Sequence, residues 1–85
     1  MKNKKIAIIG LGYVGLPLAI EFGKKFKVIG FDINKDRINQ LKKNEDPNLE
    51  ISKKEFLESI NLNFSNAVDD LKSCNIFIVT VPTPI

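Results

Sequence analysis

The 85-residue chain has no histidine and no tryptophan, and only one cysteine, one methionine and one tyrosine. Without histidine, neither a Ser-His nor a Cys-His catalytic pair can form within it. With Cys74 as the lone thiol, an internal disulfide and the common zinc-site patterns are excluded as well, so no metal site is expected. The longest apolar runs are about six residues, against the roughly 20 that a bilayer-spanning helix requires. The N-terminal MKNKKIAIIGLG carries no signal-peptide cleavage pattern. These features predict a cytoplasmic protein with no membrane partner. Thirteen Lys and Arg against ten Asp and Glu leave a net charge of +3, spread along the chain. That is a mild lysine excess, and no nucleic-acid partner is expected from it.

What remains is ordinary folding material, 44% hydrophobic and 27% charged. A chain of this length buries about 60–65% of its unfolded surface, enough for one small core and not for a second domain.

Lys5 to Ile9 (KIAII) is a short apolar run that stops at glycine, as a buried strand does. GLGYVG follows at once. Leu16, Ala19, Ile20 and Gly23 then recur at helical spacing, widened by Leu18, Phe22 and Phe26, and predict a helix from about Tyr13 to Lys25. Pro17 lies near its first turn, where a missing N–H costs little. Lys27 to Phe31 (KVIGF) is a second strand, ending at Asp32, which completes a βαβ unit of about thirty residues.

Asn34 is placed to cap a helix running to about Lys43, with Asp36 in its first turn and Ile38 and Leu41 facing inward. The segment NEDPN, residues 44–48, breaks it. Ser52 and Glu55 have capping-box spacing, flanked by Ile51 and Phe56 as a hydrophobic staple, so a short helix is predicted over 53–59. Ile60, Leu62 and Phe64 alternate with asparagines, the pattern of a half-buried edge strand. Ser65 or Asn66 would cap a short helix carrying Ala67, Val68 and Leu71. Ile76 to Val81 (IFIVTV) reads as a parallel strand covered on both faces.

Right-handed crossovers place these strands in the order 3-2-1-4. The fold class is therefore α/β: a truncated Rossmann-type doubly wound parallel sheet, with residues 1–85 as the N-terminal part of a single nucleotide-binding domain.

Gly10, Gly12 and Gly15 match GxGxxG, a pattern that short turns also produce by chance. Here it follows a strand and opens a helix, and Asp32 ends the next strand about 20 residues further on. Gly10 permits the tight turn, Gly12 lets backbone approach a pyrophosphate, and Gly15 lets helix pack on strand. The helix N-terminus offers N–H donors to the phosphates. No GK[ST] follows, which excludes a mononucleotide P-loop. Asp32 would accept the ribose hydroxyls and repel a 2′-phosphate, favouring NAD over NADP, although the nearby Lys35 and Arg37 argue mildly the other way. Cys74 has no histidine to activate it and reads as a small packed hydrophobe. The lysines of residues 2–5, 24–25, 42–43 and 53–54 read as solubilising charge.

With GLGYVGLPLA at residues 10–19 and TVPTPI at 80–85, the chain resembles the UDP-glucose/GDP-mannose dehydrogenase family over its whole length. Within that family it is most similar to UDP-N-acetylhexosamine 6-dehydrogenases of capsular and Vi-type polysaccharide synthesis, on GFDINKDRINQLKKNEDPNLE and the Ser73-Cys74-Asn75 lead into the last strand. The resemblance implies an NAD-dependent oxidoreductase with an N-terminal NAD domain, a helical dimerisation region and a UDP-sugar domain. Such enzymes oxidise the C6 hydroxymethyl of the sugar to a carboxylate with two NAD+, through covalent intermediates on a cysteine of a later segment. Carried over position by position, the cofactor-binding residues are Gly10, Leu11, Gly12, Tyr13, Val14, Gly15, Asp32, Arg37, Val81 and Thr83, with Thr83 toward the nicotinamide. No catalytic residue falls within these positions, so the chain by itself is expected to be inactive. The implied partners are a UDP-sugar and further copies of the chain, since an exposed apolar edge at residues 76–81 is a template for pairing.

Two other readings share the glycines. One is a stand-alone NAD(H)-sensing regulatory module; the other is a β-hydroxyacid dehydrogenase, which the VPTP ending disfavours.

Overall fold

Residues 4–12, 14–43 and 51–80 are described by the structure, a computed structural model. Four short strands, β1 (Lys5–Ile9), β2 (Lys27–Phe31), β3 (Leu62–Ser65) and β4 (Ile76–Val79), pair in parallel in the order β3-β2-β1-β4. The predicted order is thus the observed one. Helix α1 (Gly15–Gly23) joins β1 to β2, and α2 (Lys35–Lys42) and α3 (Lys53–Glu58) lie between β2 and β3. A 3₁₀ helix, Val68–Ser73, leads into β4.

Alternation along each strand sorts the side chains onto two unequal faces. Ile6 and Ile8 of β1 and Val28 of β2 join Leu16, Ala19 and Ile20 of α1, Ile38 and Leu41 of α2, and Ile51 and Phe56 beside α3 in the main core. Among the described residues the opposite face holds a small cluster of Ala7, Ile29 and Cys74, with Leu71 of the 3₁₀ helix against it. Both crossovers before β3 put their helices on the first face, and the return to β4 brings the chain round to the second.

Local signals account for the element ends. Asn34 Oδ1 accepts from the Arg37 amide at 3.1 Å, with Asp36 in the first turn of α2 and Lys42 in its last. Ser52 Oγ accepts from the Glu55 amide at 3.3 Å and donates to Glu55 Oε1 at 3.4 Å, while Ile51 and Phe56 both enter the core. Helix α1 stops at Gly23, two residues short of the predicted end. A Cβ on Gly23 would overlap Ser59 Oγ and lie 2.7 Å from Leu62 Cβ, so the helix is tucked against the start of β3 at this glycine. Ser59, itself buried, donates from Oγ to the Ile20 carbonyl at 2.8 Å.

Three expectations are corrected. The segment after β3 is a 3₁₀ helix without a side-chain cap, because Ser65 Oγ accepts from the Ala67 amide at 3.0 Å in a local turn and donates to Asp70. Val68 is accordingly exposed. Ile60 lies outside β3 and is exposed too. Finally, β4 is not covered on both faces: Phe77 is 53% and Val79 62% exposed, since the 3₁₀ helix lies against β2 and leaves the β4 edge open. Val81, its predicted last residue, and the NEDPN segment lie outside the described residues. No helix among the described residues is long and apolar enough to cross a membrane.

Helix propensity alone favours Gly23→Ala by about 1 kcal/mol. The contacts with Ser59 and Leu62 predict the reverse, a loss of about 1–3 kcal/mol from overpacking. Urea denaturation decides: a stabilised variant would mean that α1 and β3 separate freely.

Candidate functional site

The carboxyl ends of β1 and β2 meet at the glycine turn. Gly10 has φ 96°, a left-handed conformation that a side chain would strain, and its amide donates to the Phe31 carbonyl at 2.8 Å. A Cβ on Gly15 would run into the Gly10 carbonyl oxygen and Thr80 Oγ1, so this glycine sets how closely α1 approaches the turn. A Cβ on Gly12 would meet nothing within 4 Å. The first glycine turns the chain, the third admits the helix, and the second borders open space.

Leu11 lies between them, its side chain buried in the core and its peptide groups held from two directions. Its N–H donates to Asp32 Oδ2 at 3.0 Å, and its carbonyl accepts from Arg37 Nε at 3.0 Å and Nη2 at 2.9 Å. Asp32 Oδ1 accepts from the Asn34 amide at 2.9 Å. Each carboxylate oxygen has acceptor capacity for a second donor, so these bonds orient Asp32 without exhausting it. Arg37 commits two donors to the turn, where the sequence suggested a role toward the ligand.

Helix α1 starts with no side-chain cap and no acidic residue in its first turn, and Val14 at its start is 62% exposed. That leaves the positive end of the helix dipole unopposed beside the open space at Gly12.

Gly10, Leu11, Gly12, Val14, Gly15, Asp32 and Arg37 are therefore brought together at one end of the sheet. Tyr13, Val81 and Thr83 lie outside the described residues. Sequence reasoning missed Thr80, whose hydroxyl contacts the carbonyls of Gly10 at 2.6 Å and Ile9 at 3.3 Å while its amide donates to Ile9 at 2.8 Å. The β1–β4 register, with Ile9 opposite Val79, was the signal that places Thr80 beside Gly10.

Cys74 is buried, and burial pushes its thiol above the ordinary value, slightly offset by the charge of Lys5. No group of three or more His, Cys, Asp or Glu among the described residues is placed to hold a metal ion.

The NAD-binding domain of the UDP-glucose/GDP-mannose dehydrogenase family matches residues 4–85. The chain belongs to this family. It is 56% identical over 85 residues to a UDP-N-acetyl-D-glucosamine 6-dehydrogenase of Pseudomonas aeruginosa, covering all of this chain and 20% of that protein. A Salmonella typhi protein of the same name is 58% identical over 81 residues, covering 95% of this chain and 19% of the relative. The solved UDP-D-ManNAc dehydrogenase of Pyrococcus horikoshii superposes with a TM-score of 0.78 at 37% identity, covering 95% of this chain and 21% of that one. The chain thus spans about a fifth of the length of these relatives.

Arg37→Gln removes the paired donors from the Leu11 carbonyl, and a charge-assisted pair in a half-buried setting predicts a loss of about 1–2 kcal/mol. Hydrogen exchange at the Leu11 amide should accelerate more than at the amides of β1. Equal acceleration at both would assign Arg37 to global stability only.

Proposed function

We propose that these residues form the NAD-binding portion of a UDP-N-acetylhexosamine 6-dehydrogenase serving surface polysaccharide synthesis. The observation that carries the substrate class is identity of 56% and 58%, essentially unbroken along the chain, with two proteins named for UDP-N-acetyl-D-glucosamine. The extent of those relatives supports reading these residues as the cofactor-binding part of a longer enzyme, with the sugar bound by other parts of it.

The residues at the turn fit a dinucleotide. The space beside Gly12 admits close approach of a pyrophosphate, and the uncapped start of α1 favours its charge. Asp32, aimed by the Leu11 and Asn34 amides, is assigned to the adenosine ribose hydroxyls, and its charge disfavours a 2′-phosphate. Arg37 and Thr80 hold the turn, and Tyr13, Val14, Val81 and Thr83 are assigned to the cofactor by the family pattern. When bound, NAD+ supplies the hydride acceptor for oxidation of the sugar C6, two equivalents carrying the alcohol to the carboxylate. This chain's own part is binding and orientation.

Self-association belongs to the same proposal. Strand β4 is at the sheet edge, with Phe77 and Val79 exposed beside it, and an apolar edge favours pairing with a second copy. Light scattering should give a mass that rises above one chain with concentration; a constant monomer mass would refute this.

Asp32→Ala should weaken NAD+ binding and narrow the preference over NADP+, read by calorimetric titration of both cofactors. An unchanged preference removes Asp32 from its assigned role. A protein of the relatives' length carrying these residues should form two NADH per UDP-N-acetylhexosamine consumed. Cofactor binding without turnover of any nucleotide sugar would favour the sensing module.

A further inference from the structure

The opposite end of the sheet, where the strands begin, gathers charge that the glycine turn does not use. Lys4 and Lys5 at the start of β1 and Lys25 and Lys27 at the start of β2 line one cavity of about 440 Å³, walled by Phe26 and Asn61. Along the sequence Lys4, Lys5 and Lys25 read as solubilising charge and Lys27 as the start of a strand; the fold brings them together.

Three features describe this cluster. Lys5 and Lys27 are direct register partners on neighbouring strands, and like charges opposed across a sheet are destabilising. None of the four has an acidic partner at ion-pair distance among the described residues, whereas Lys24 close by pairs with Glu21 at 2.8 Å and Lys72 with Asp69 at 3.2 Å. The Lys4 ammonium also sits 5.8 Å from the Phe26 ring centroid, within cation–π range. The fold thus gathers four lysines around one space, with no acidic partner for them among the described residues.

We propose that this cavity binds a small anion carrying two or more phosphate groups. Its volume is in the range of small-molecule sites, and its lining is confined to a few residues at one end of the sheet, unlike the extended groove that tracks a nucleic-acid strand. Lysine ammonium groups bind phosphate as point charges without demanding a fixed fork geometry, which suits four flexible stems around one multivalent oxyanion. An anion there relieves the Lys5–Lys27 opposition, so binding and stability are coupled. The site is distinct from the glycine turn, which lies at the far end of β1, about 13 Å away at the usual strand rise.

The test is an amide-shift titration of the ¹⁵N-labelled chain with inorganic pyrophosphate and, in a second arm, ADP. Saturating shifts are expected at Lys5, Lys25, Phe26, Lys27 and Asn61, separable from any at residues 10–15. The double variant Lys5→Gln/Lys27→Gln should bind pyrophosphate roughly tenfold more weakly at this end, while melting at a higher temperature than the unsubstituted chain in the absence of ligand. Lys42→Gln/Lys43→Gln, which removes the same charge elsewhere, should leave the shifts intact. Equal affinity for pyrophosphate and ADP assigns the phosphates alone; tighter ADP binding at these amides assigns a nucleotide stacked on Phe26. Shifts confined to residues 10–15, shifts that never saturate, or equal weakening by both double variants would overturn the proposal.

Discussion

The two peptide groups that flank the Leu11 side chain organise the carboxyl end of this sheet. The amide of Leu11 is held by Asp32 and its carbonyl by Arg37, so the end of β2 and the first turn of α2 together fix the loop that follows β1. The Leu11 side chain, buried to 1% exposure, anchors the same residue from below. A loop pinned at its backbone and at its side chain has few ways to relax, which keeps the space beside Gly12 open without a side chain to fill it. Thr80 adds the third restraint from β4 through the Gly10 carbonyl. Strands β1, β2 and β4 thus converge on the loop that follows β1, and the groups they fix there are the backbone amide of Leu11 and the carbonyls of Gly10 and Leu11.

Such an arrangement concentrates cost as well as order. A left-handed Gly10 and a helix start without a side-chain cap would be liabilities in an ordinary connection. The side chains around them are matched: no buried side-chain nitrogen or oxygen among the described residues lacks a hydrogen-bond partner. The uncapped helix start is the place where the local rules for helix design are set aside, and it is also where an anion would supply what a cap does not.

The legible parts of the fold were those written in local chemistry. Strands β1 and β2 begin and end where KIAII and KVIGF do, and Asn34 and Ser52 cap the helices they precede. Gly10 and Gly15 were legible because each answers a local demand, of φ at the first and of space at the second. What stayed hidden depends on tertiary neighbours. Ser65 looked like a helix cap until its partners proved to be Ala67 and Asp70, and a cap and a local turn use the same side-chain oxygen. The two-sided apolarity of β4 correctly marked a strand, yet apolar residues on a strand do not reveal which element covers them. For Arg37 the sequence suggested a role toward the ligand, and only the folded chain shows that the Leu11 carbonyl is also within its reach.

The two faces of the sheet then bear directly on what these residues can do. Three helices cover one face, and the other has only Leu71 and Cys74 over Ala7 and Ile29. The lone thiol is thereby spent on packing, with burial raising its pKa, and no histidine exists to draw a proton from it. A thiol so placed packs well and attacks poorly. The polar chemistry of the chain is instead divided between the two ends of the strands, backbone amides and one carboxylate at the carboxyl end, lysine ammoniums at the other. Both are arrangements for holding charge in place, and holding charge in place is the chemistry of binding.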